Sequence, residues 1–367
     1  MPSLHILYIA YPLLTVSDES AGGAEQVLWT LERELARRGV CTTVAASAGS
    51  RIAGELFSTG DPCTQPDDYE RRNREHQERT ISFIEDRVRE GRGFDLVHDM
   101  SGSFWSRAAE IDLPVLATLH LPRSFYPPQY FQNVPANVSL NCVSHSQAHS
   151  FSDLKRLIGV VPNGIVLDRF EPEHRTNGNG NPSRRQGLLW LGRICEEKAP
   201  HLALEIAARS GLPITLTGQI YPFSYHQQYF EREVAPRLQQ MPNATLITSP
   251  TFEQKRKLLR EAQALLITSL ANETSSLVAI EAAASGTPVI AFRHGALSEI
   301  VREGVTGFLA DDVEGASAAC QRIVGLNPAA CLQYARATFS SAAMAAAYLQ
   351  LYESVIRPTK TLQTMEA

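Results

Sequence analysis

Short apolar runs of strand character alternate with longer helical patterns along the whole chain, and that alternation admits few folds. Strands separated by helix-length crossovers lie parallel, and a parallel sheet needs helices on both faces. In the first half the runs are "LHILYIA" (4–10), "CTTVAAS" (41–47), "DLVHDM" (95–100), "VLATLH" (115–120) and "VSLNCVS" (138–144). Several are apolar throughout, as strands covered on both faces should be. A second series follows: "GLLWLGR" (187–193), "PITLTGQ" (213–219), "ATLITS" (244–249), "ALLITS" (264–269), "PVIAF" (288–292) and "GFLA" (307–310). The expected class is α/β, with two doubly wound, Rossmann-like domains.

Between the two series lies "EPEHRTNGNGNPSRRQ" (171–186), polar and rich in Asn and Gly, which reads as a linker. The expected domains are therefore 1–170 and 187–339. From about Val313 the chain reads as Ala-rich helix, and its last part, about 340–367, could lie against either domain. A length of 367 residues suits two domains of ordinary size. The net charge of -5 gives no reason to expect nucleic acid as a partner. No run is long enough to span a membrane and "LHILYIA" lacks the features of a secretion leader, so the chain is expected in the cytoplasm. Peripheral membrane contact stays open. Cys41, Cys63, Cys142, Cys195, Cys320 and Cys331 form no C-x-x-C pair, so neither a zinc site nor a redox motif is expected. Without a leader, the sequons at Asn137, Asn243 and Asn272 read as chance matches.

Doubly wound domains bind ligands at the carboxyl ends of their strands. In "SAGGAEQ" (20–26), Gly22 and Gly23 lead into a helix running to Gly39, and its free N–H groups suit a phosphate. Glycines easing a loop into a helix explain the stretch equally well, and no G-x-G-x-x-G follows any strand. His120 ends "VLATLH", where it could bond a sugar hydroxyl or carry a proton, or be a satisfied structural residue, and His98, ending "DLVH", has the same ambiguity. Arg193 and Lys198 share a strand-to-helix loop and could hold a diphosphate, or be solvated surface charges. In "ANETSSLVAIEAAASGTPVIA" (271–291), Glu273 lies in a polar turn and Glu281 inside an apolar helix that stops at Gly286. A carboxylate among Val278, Ala279, Ile280 and Ala282 needs a partner, and a ribose is one that fits.

Taken in order, "GGAE", "VPNGI" (161–165), "GRICEEK", the pair Glu273 and Glu281 spaced as E-x7-E, "SGTPVIA" and "GVTGFL" resemble the retaining nucleotide-sugar glycosyltransferases of family four. The resemblance spans nearly the whole chain and implies the GT-B fold, two Rossmann-like domains facing a central cleft. It implies that Gly22 and Gly23 approach the donor phosphates and the acceptor. Arg193 and Lys198 would neutralise the diphosphate, Glu273 would face the donor sugar, and Glu281 would bind ribose. Backbone amides of Thr274, Ser275, Ser276, Leu277 and Val278 would meet sugar and phosphates, and His120 a sugar hydroxyl. The chain departs from the family at two points: the turn reads "ETSS" rather than E-x-F-G, and Ala199 follows Lys198 where glycine is usual.

The implied reaction moves a hexosyl group from a UDP- or GDP-linked sugar to a hydroxyl acceptor with retention, without cofactor or metal. No D-x-D motif stands at a strand end: "GDPC" and "PDDY" fall in a loop-like insertion, and "ADDV" starts a helix. The acceptor is expected near Gly22 and the aromatic loop "HLPRSFYPPQYF" (120–131). Two other functions share such a site, a sugar-nucleotide epimerase and an inactive nucleotide-sugar-binding protein.

Overall fold

The computed structural model describes residues 4–63, 65–171, 185–221 and 223–363. It divides the chain into two units, Met1–Gly164 with Ser341–Ala367, and Ile165–Ser340. The division falls at Gly164, earlier than the stretch 171–186 expected from composition, of which 172–184 lie outside the described residues.

The first unit runs through β1 (His5–Ile9), α1 (Gly23–Arg37), β2 (Cys41–Ala46), β3 (Glu55–Ser58), α2 (Tyr69–Arg89), β4 (Leu96–Asp99) and β5 (Val115–Leu119). It continues with α3 (Gln129–Gln132), β6 (Val138–Cys142), α4 (His145–His149) and β7 (Leu157–Val160). Its sheet has the order β3-β2-β1-β4-β5-β6-β7 with every pairing parallel. The direction of winding reverses between β1 and β4. All five residues of β5 are buried, because helices cover both faces of a central parallel strand. The insertion expected as loop holds a short 3-10 turn at Pro66–Asp68 and then α2, whose sparse apolar residues hide its helical period among charges.

In the second unit, β8 (Leu188–Leu191), α5 (Pro200–Ser210), β9 (Ile214–Gly218), α6 (Ser224–Tyr229), α7 (Ala235–Gln240), β10 (Ala244–Thr248) and α8 (Phe252–Glu261) come first. They are followed by β11 (Ala264–Ile267), α9 (Leu277–Ala284), β12 (Val289–Phe292), α10 (Leu297–Ile300), β13 (Gly307–Ala310), α11 (Val313–Arg322) and α12 (Pro328–Thr338). The parallel sheet has the order β10-β9-β8-β11-β12-β13, with its reversal between β8 and β11. Successive strand residues feed opposite cores, as a period of two requires. Leu188, Trp190, Leu266, Ile290 and Phe292 pack into one layer, and Leu189, Leu265, Ile267, Val289 and Ala291 into the other.

The last helix, α13 (Ser341–Gln363), belongs to the first unit. Tyr348 and Tyr352 are wholly buried there, and the Tyr352 hydroxyl lies 2.8 Å from His98 Nδ1 and 3.2 Å from the Tyr8 hydroxyl. His98 Nε2 meets the Thr118 hydroxyl at 2.7 Å. Both ring nitrogens are thus satisfied, and burial holds the imidazole well below its ordinary pKa. His98 is a core residue.

Candidate functional site

In the second unit the chemistry collects where the sheet reverses, in the loops that follow β8 and β11. These loops are stitched together. The Thr268 hydroxyl donates to the carbonyls of Lys198 (3.1 Å) and Ala199 (2.8 Å), the Ser269 hydroxyl to that of Glu197 (3.1 Å), and the Leu270 amide to the same Glu197 carbonyl (2.8 Å). Trp190 Nε1 in turn donates to the Thr268 hydroxyl at 3.1 Å.

The stitching sets Lys198 Nζ 2.5 Å from Glu273 Oε1, a pair mostly withdrawn from solvent. Arg193 is 44% exposed, lies 3.6 Å from Glu197 and stands over the Tyr221 ring at 5.7 Å. Each cation of the β8–α5 loop therefore has a carboxylate beside it. Directly after Lys198, Ala199 adopts the left-handed conformation, φ 47 and ψ 54, which favours glycine. The backbone keeps that bend, and alanine carries its strain.

The turn bearing Glu273 is braced from below by a residue that no sequence pattern singles out. Gly295 has φ +60, and a Cβ built on it would stand 2.3 Å from the Glu273 carbonyl oxygen and 2.6 Å from its nitrogen. Only a glycine permits that approach. The neighbouring Ala296 amide donates to the Glu273 carbonyl at 2.7 Å.

Ser276 caps α9 in extended conformation without a side-chain hydrogen bond to the helix. The amides of Leu277 and Val278 open the helix beyond it, and Thr274 and Ser275 complete the half-buried turn. Glu281 lies in the second turn of α9 and is 1% exposed. One of its oxygens meets Lys255 Nζ at 2.6 Å, and the other has no hydrogen-bond partner among the described residues. Lys255 stands on α8, with the rings of Phe252 and Phe170 at 5.3 and 5.5 Å. In sequence it is one cation among several on a polar helix, so only the three-dimensional pairing identifies it.

Gly22, Gly23 and His120 belong to the first unit, at the same carboxyl edge of its sheet. Gly22 is the N-cap of α1, yet its free space is already used: a Cβ there would lie 2.0 Å from Glu25 Oε2 and 3.0 Å from Leu14 Cδ1. The buried Glu25 carboxyl folds back over the glycine and accepts from its own backbone amide; burial raises its pKa to about 7. His120 is half-buried as a residue, but its ring is enclosed, and burial pulls its pKa down to about 4. At neutral pH it is an uncharged imidazole, suited to hydrogen bonding rather than to proton transfer. Between these strands, the carboxylate of Asp99 accepts from the amides of Ser101 (2.7 Å) and Trp105 (2.8 Å) and organises the loop after β4.

Comparison with known proteins yields a match in each unit. Residues 21–169 match the model described as Glycosyltransferase Family 4, and residues 185–325 the one described as Glycosyl transferases group 1. Among curated relatives, the D-inositol 3-phosphate glycosyltransferase of Geodermatophilus obscurus is 35% identical over 186 residues, 44% of this chain and 38% of the relative. That of Mycolicibacterium smegmatis is 32% identical over 158 residues, 42% of this chain and 36% of the relative. Those matches thus span well under two thirds of the relatives' length. Among solved structures, sucrose-phosphate synthase from Thermosynechococcus elongatus superposes with a TM-score of 0.75 at 21% identity, covering 97% of this chain and 100% of the other. Anabaena HepE in complex with UDP and glucose gives 0.73 at 14%, covering 96% and 100%. With both units matched and the fold shared almost end to end, the chain belongs to the glycosyltransferases of GT-B fold.

Proposed function

We propose that this protein transfers a hexosyl group from a nucleoside diphosphate sugar to a hydroxyl acceptor, with retention of configuration at the anomeric carbon. The observation that carries the reading is the convergence in the second unit. Lys198 and Glu273 are paired at 2.5 Å beside the uncapped start of α9, and Glu281 keeps one buried oxygen without a partner among the described residues. A buried carboxylate oxygen left unsatisfied is costly, and a ribose hydroxyl relieves the cost.

In this reading the diphosphate lies at the α9 N-terminus, where the amides of Leu277 and Val278 and the helix dipole favour it. Lys198 shares its charge between Glu273 and the phosphate, and Arg193 turns from Glu197 to the same anion. Thr274, Ser275 and Ser276 line the sugar side. Glu273 bonds the donor hydroxyls and stabilises the oxocarbenium-like centre. The bond between the anomeric carbon and the diphosphate oxygen breaks, the acceptor oxygen bonds on the same face, and the acceptor proton passes to the departing phosphate oxygen. His120, uncharged, bonds a sugar hydroxyl.

Glu25 narrows the acceptor. The relatives are named for a phosphorylated inositol. In this chain a carboxyl group already fills the space over Gly22 at the start of α1, where a phosphate would be held. We therefore assign an acceptor that presents hydroxyls, not phosphate, to Gly22 and Gly23. The test is a thermal-shift panel of UDP- and GDP-sugars, followed by acceptor-dependent nucleotide release and proton NMR of the anomeric coupling. A retained configuration with a neutral polyol is expected. Nucleotide-sugar turnover without acceptor would mark an epimerase, an inverted product would overturn the mechanism, and a strict need for a phosphorylated acceptor would overturn the acceptor assignment.

A further inference from the structure

Outside the residues assigned above, Cys195, Glu197 and His226 bring a thiol, a carboxylate and an imidazole together, their ligand atoms all within 4.8 Å of one another. Cys195 and Glu197 lie in the loop between β8 and α5, and His226 on α6. We propose that these three side chains form a binding site for a divalent cation of borderline softness, zinc being the best match.

The His226 ring carries the argument furthest. It is 1% exposed, and neither of its nitrogens has a hydrogen-bond partner among the described residues. The aromatic rings of Tyr221, Phe223 and Tyr225 stand around it, at 6.0, 5.3 and 4.3 Å. They shield it from water. Two unsatisfied ring nitrogens in such a place are rare, and a bound cation satisfies one of them.

The donor set has the chemistry zinc prefers: one sulfur, one imidazole nitrogen and one carboxylate oxygen, with a fourth position left for water. Tetrahedral coordination requires sulfur and nitrogen about 3.5 Å apart, so that separation, within 4.8 Å here, needs to contract by about 1.3 Å at most. Glu197 has the freedom to do so, its side chain being 36% exposed. The Cys195 thiol, wholly buried, now donates to the Arg193 carbonyl at 3.4 Å. Coordination replaces that bond and releases one proton from sulfur to solvent, so occupancy rises with pH. It also takes Glu197 away from the Arg193 guanidinium, 3.6 Å distant, so the positive charge of Arg193 opposes the metal until that side chain swings outward.

Cobalt(II) titration of chelator-treated full-length protein tests the site, in a Cys41→Ser/Cys63→Ser background that removes the two thiols outside the buried set. One equivalent should bind with a thiolate-to-cobalt charge-transfer band in the near ultraviolet, and zinc should displace it. Cys195→Ser should abolish the band, and His226→Gln should weaken binding at least tenfold. Should Cys195→Ser fail to fold, Glu197→Gln supplies the second variant, with a tenfold loss expected. Absence of a charge-transfer band in the parent, or unchanged affinity in the His226→Gln and Glu197→Gln variants, overturns the proposal.

Discussion

Lys255 Nζ lies 2.6 Å from one oxygen of Glu281, on a helix separate from the one that carries the glutamate. The pair is shut away, with side-chain exposures of 14% and 2%. Removing the lysine alone strands a buried carboxylate, a change that costs about 3 kcal/mol. Lys255→Met should therefore lower stability by about that amount in chemical denaturation. The double variant Lys255→Met/Glu281→Gln should recover much of the loss, because the buried charge is then gone. Equal stability of parent and Lys255→Met would show that the pair carries no weight.

Gly295 offers a way to disturb Glu273 without changing any side chain of the site. In Gly295→Ala the new methyl meets backbone atoms, and the φ of +60 adds strain of about 1 kcal/mol. The Glu273 turn has to move. Turnover should fall at least tenfold, while the melting temperature drops by only a few degrees. An unchanged kcat would mean that the turn tolerates displacement.

Lys198→Ala should act the other way round from Lys255→Met. Its side chain is 27% exposed, against 14% for Lys255, so less stability rests on this pair than on that one. On the proposed mechanism the charge facing the departing diphosphate is worth more, on the order of 100-fold in turnover. A large loss of melting temperature with normal turnover would make this lysine structural.

Glu25 gives a pH dependence of definite sign. Its ordinary pKa of 4.5 rises to about 7 in the folded protein because burial disfavours the anion. Between those values the native state holds a proton that the unfolded chain has lost, so the contribution of Glu25 to stability falls as pH climbs through that window. Above pH 7 the whole deficit is present. Asp99, raised to about 6, acts in the same direction, whereas His76 and His120, each lowered to about 4, act oppositely as pH falls. The difference between the parent and Glu25→Gln isolates the one group. That variant should gain about 3 kcal/mol on the parent between pH 4 and pH 8, with part of the gain already present at pH 5, measured by denaturant unfolding.

Central strands were legible in the sequence because a buried parallel strand is apolar along its length: β5, β11 and β12 stand out as "VLATL", "ALLI" and "VIAF". The edge strands β3 and β7 were not, since Glu55–Ser58 and Leu157–Val160 are short and half-exposed and so lack that signature. Glu281 announced itself through its apolar company. Its partner Lys255 could not, because pairing across 26 residues leaves no local pattern. Gly295 and Glu25 were hidden for a related reason: what distinguishes them is a close approach between atoms, which no spacing encodes. Ala199 is the reverse case, where the sequence shows the departure and only the backbone shows that the left-handed bend survives it.

The division of the chain bears on the order in which a growing polypeptide can acquire structure. The second unit is one uninterrupted stretch, Ile165–Ser340, whereas the first is completed only by Ser341–Ala367. His98 and Tyr8 must wait for Tyr352, which is 254 and 344 residues further along. On the ribosome the middle of the message can therefore settle while the beginning still holds open, polar side chains that no helix yet satisfies. A nascent chain halted shortly before Tyr348 would be the form most exposed to chaperones, although every strand of both sheets had already been made.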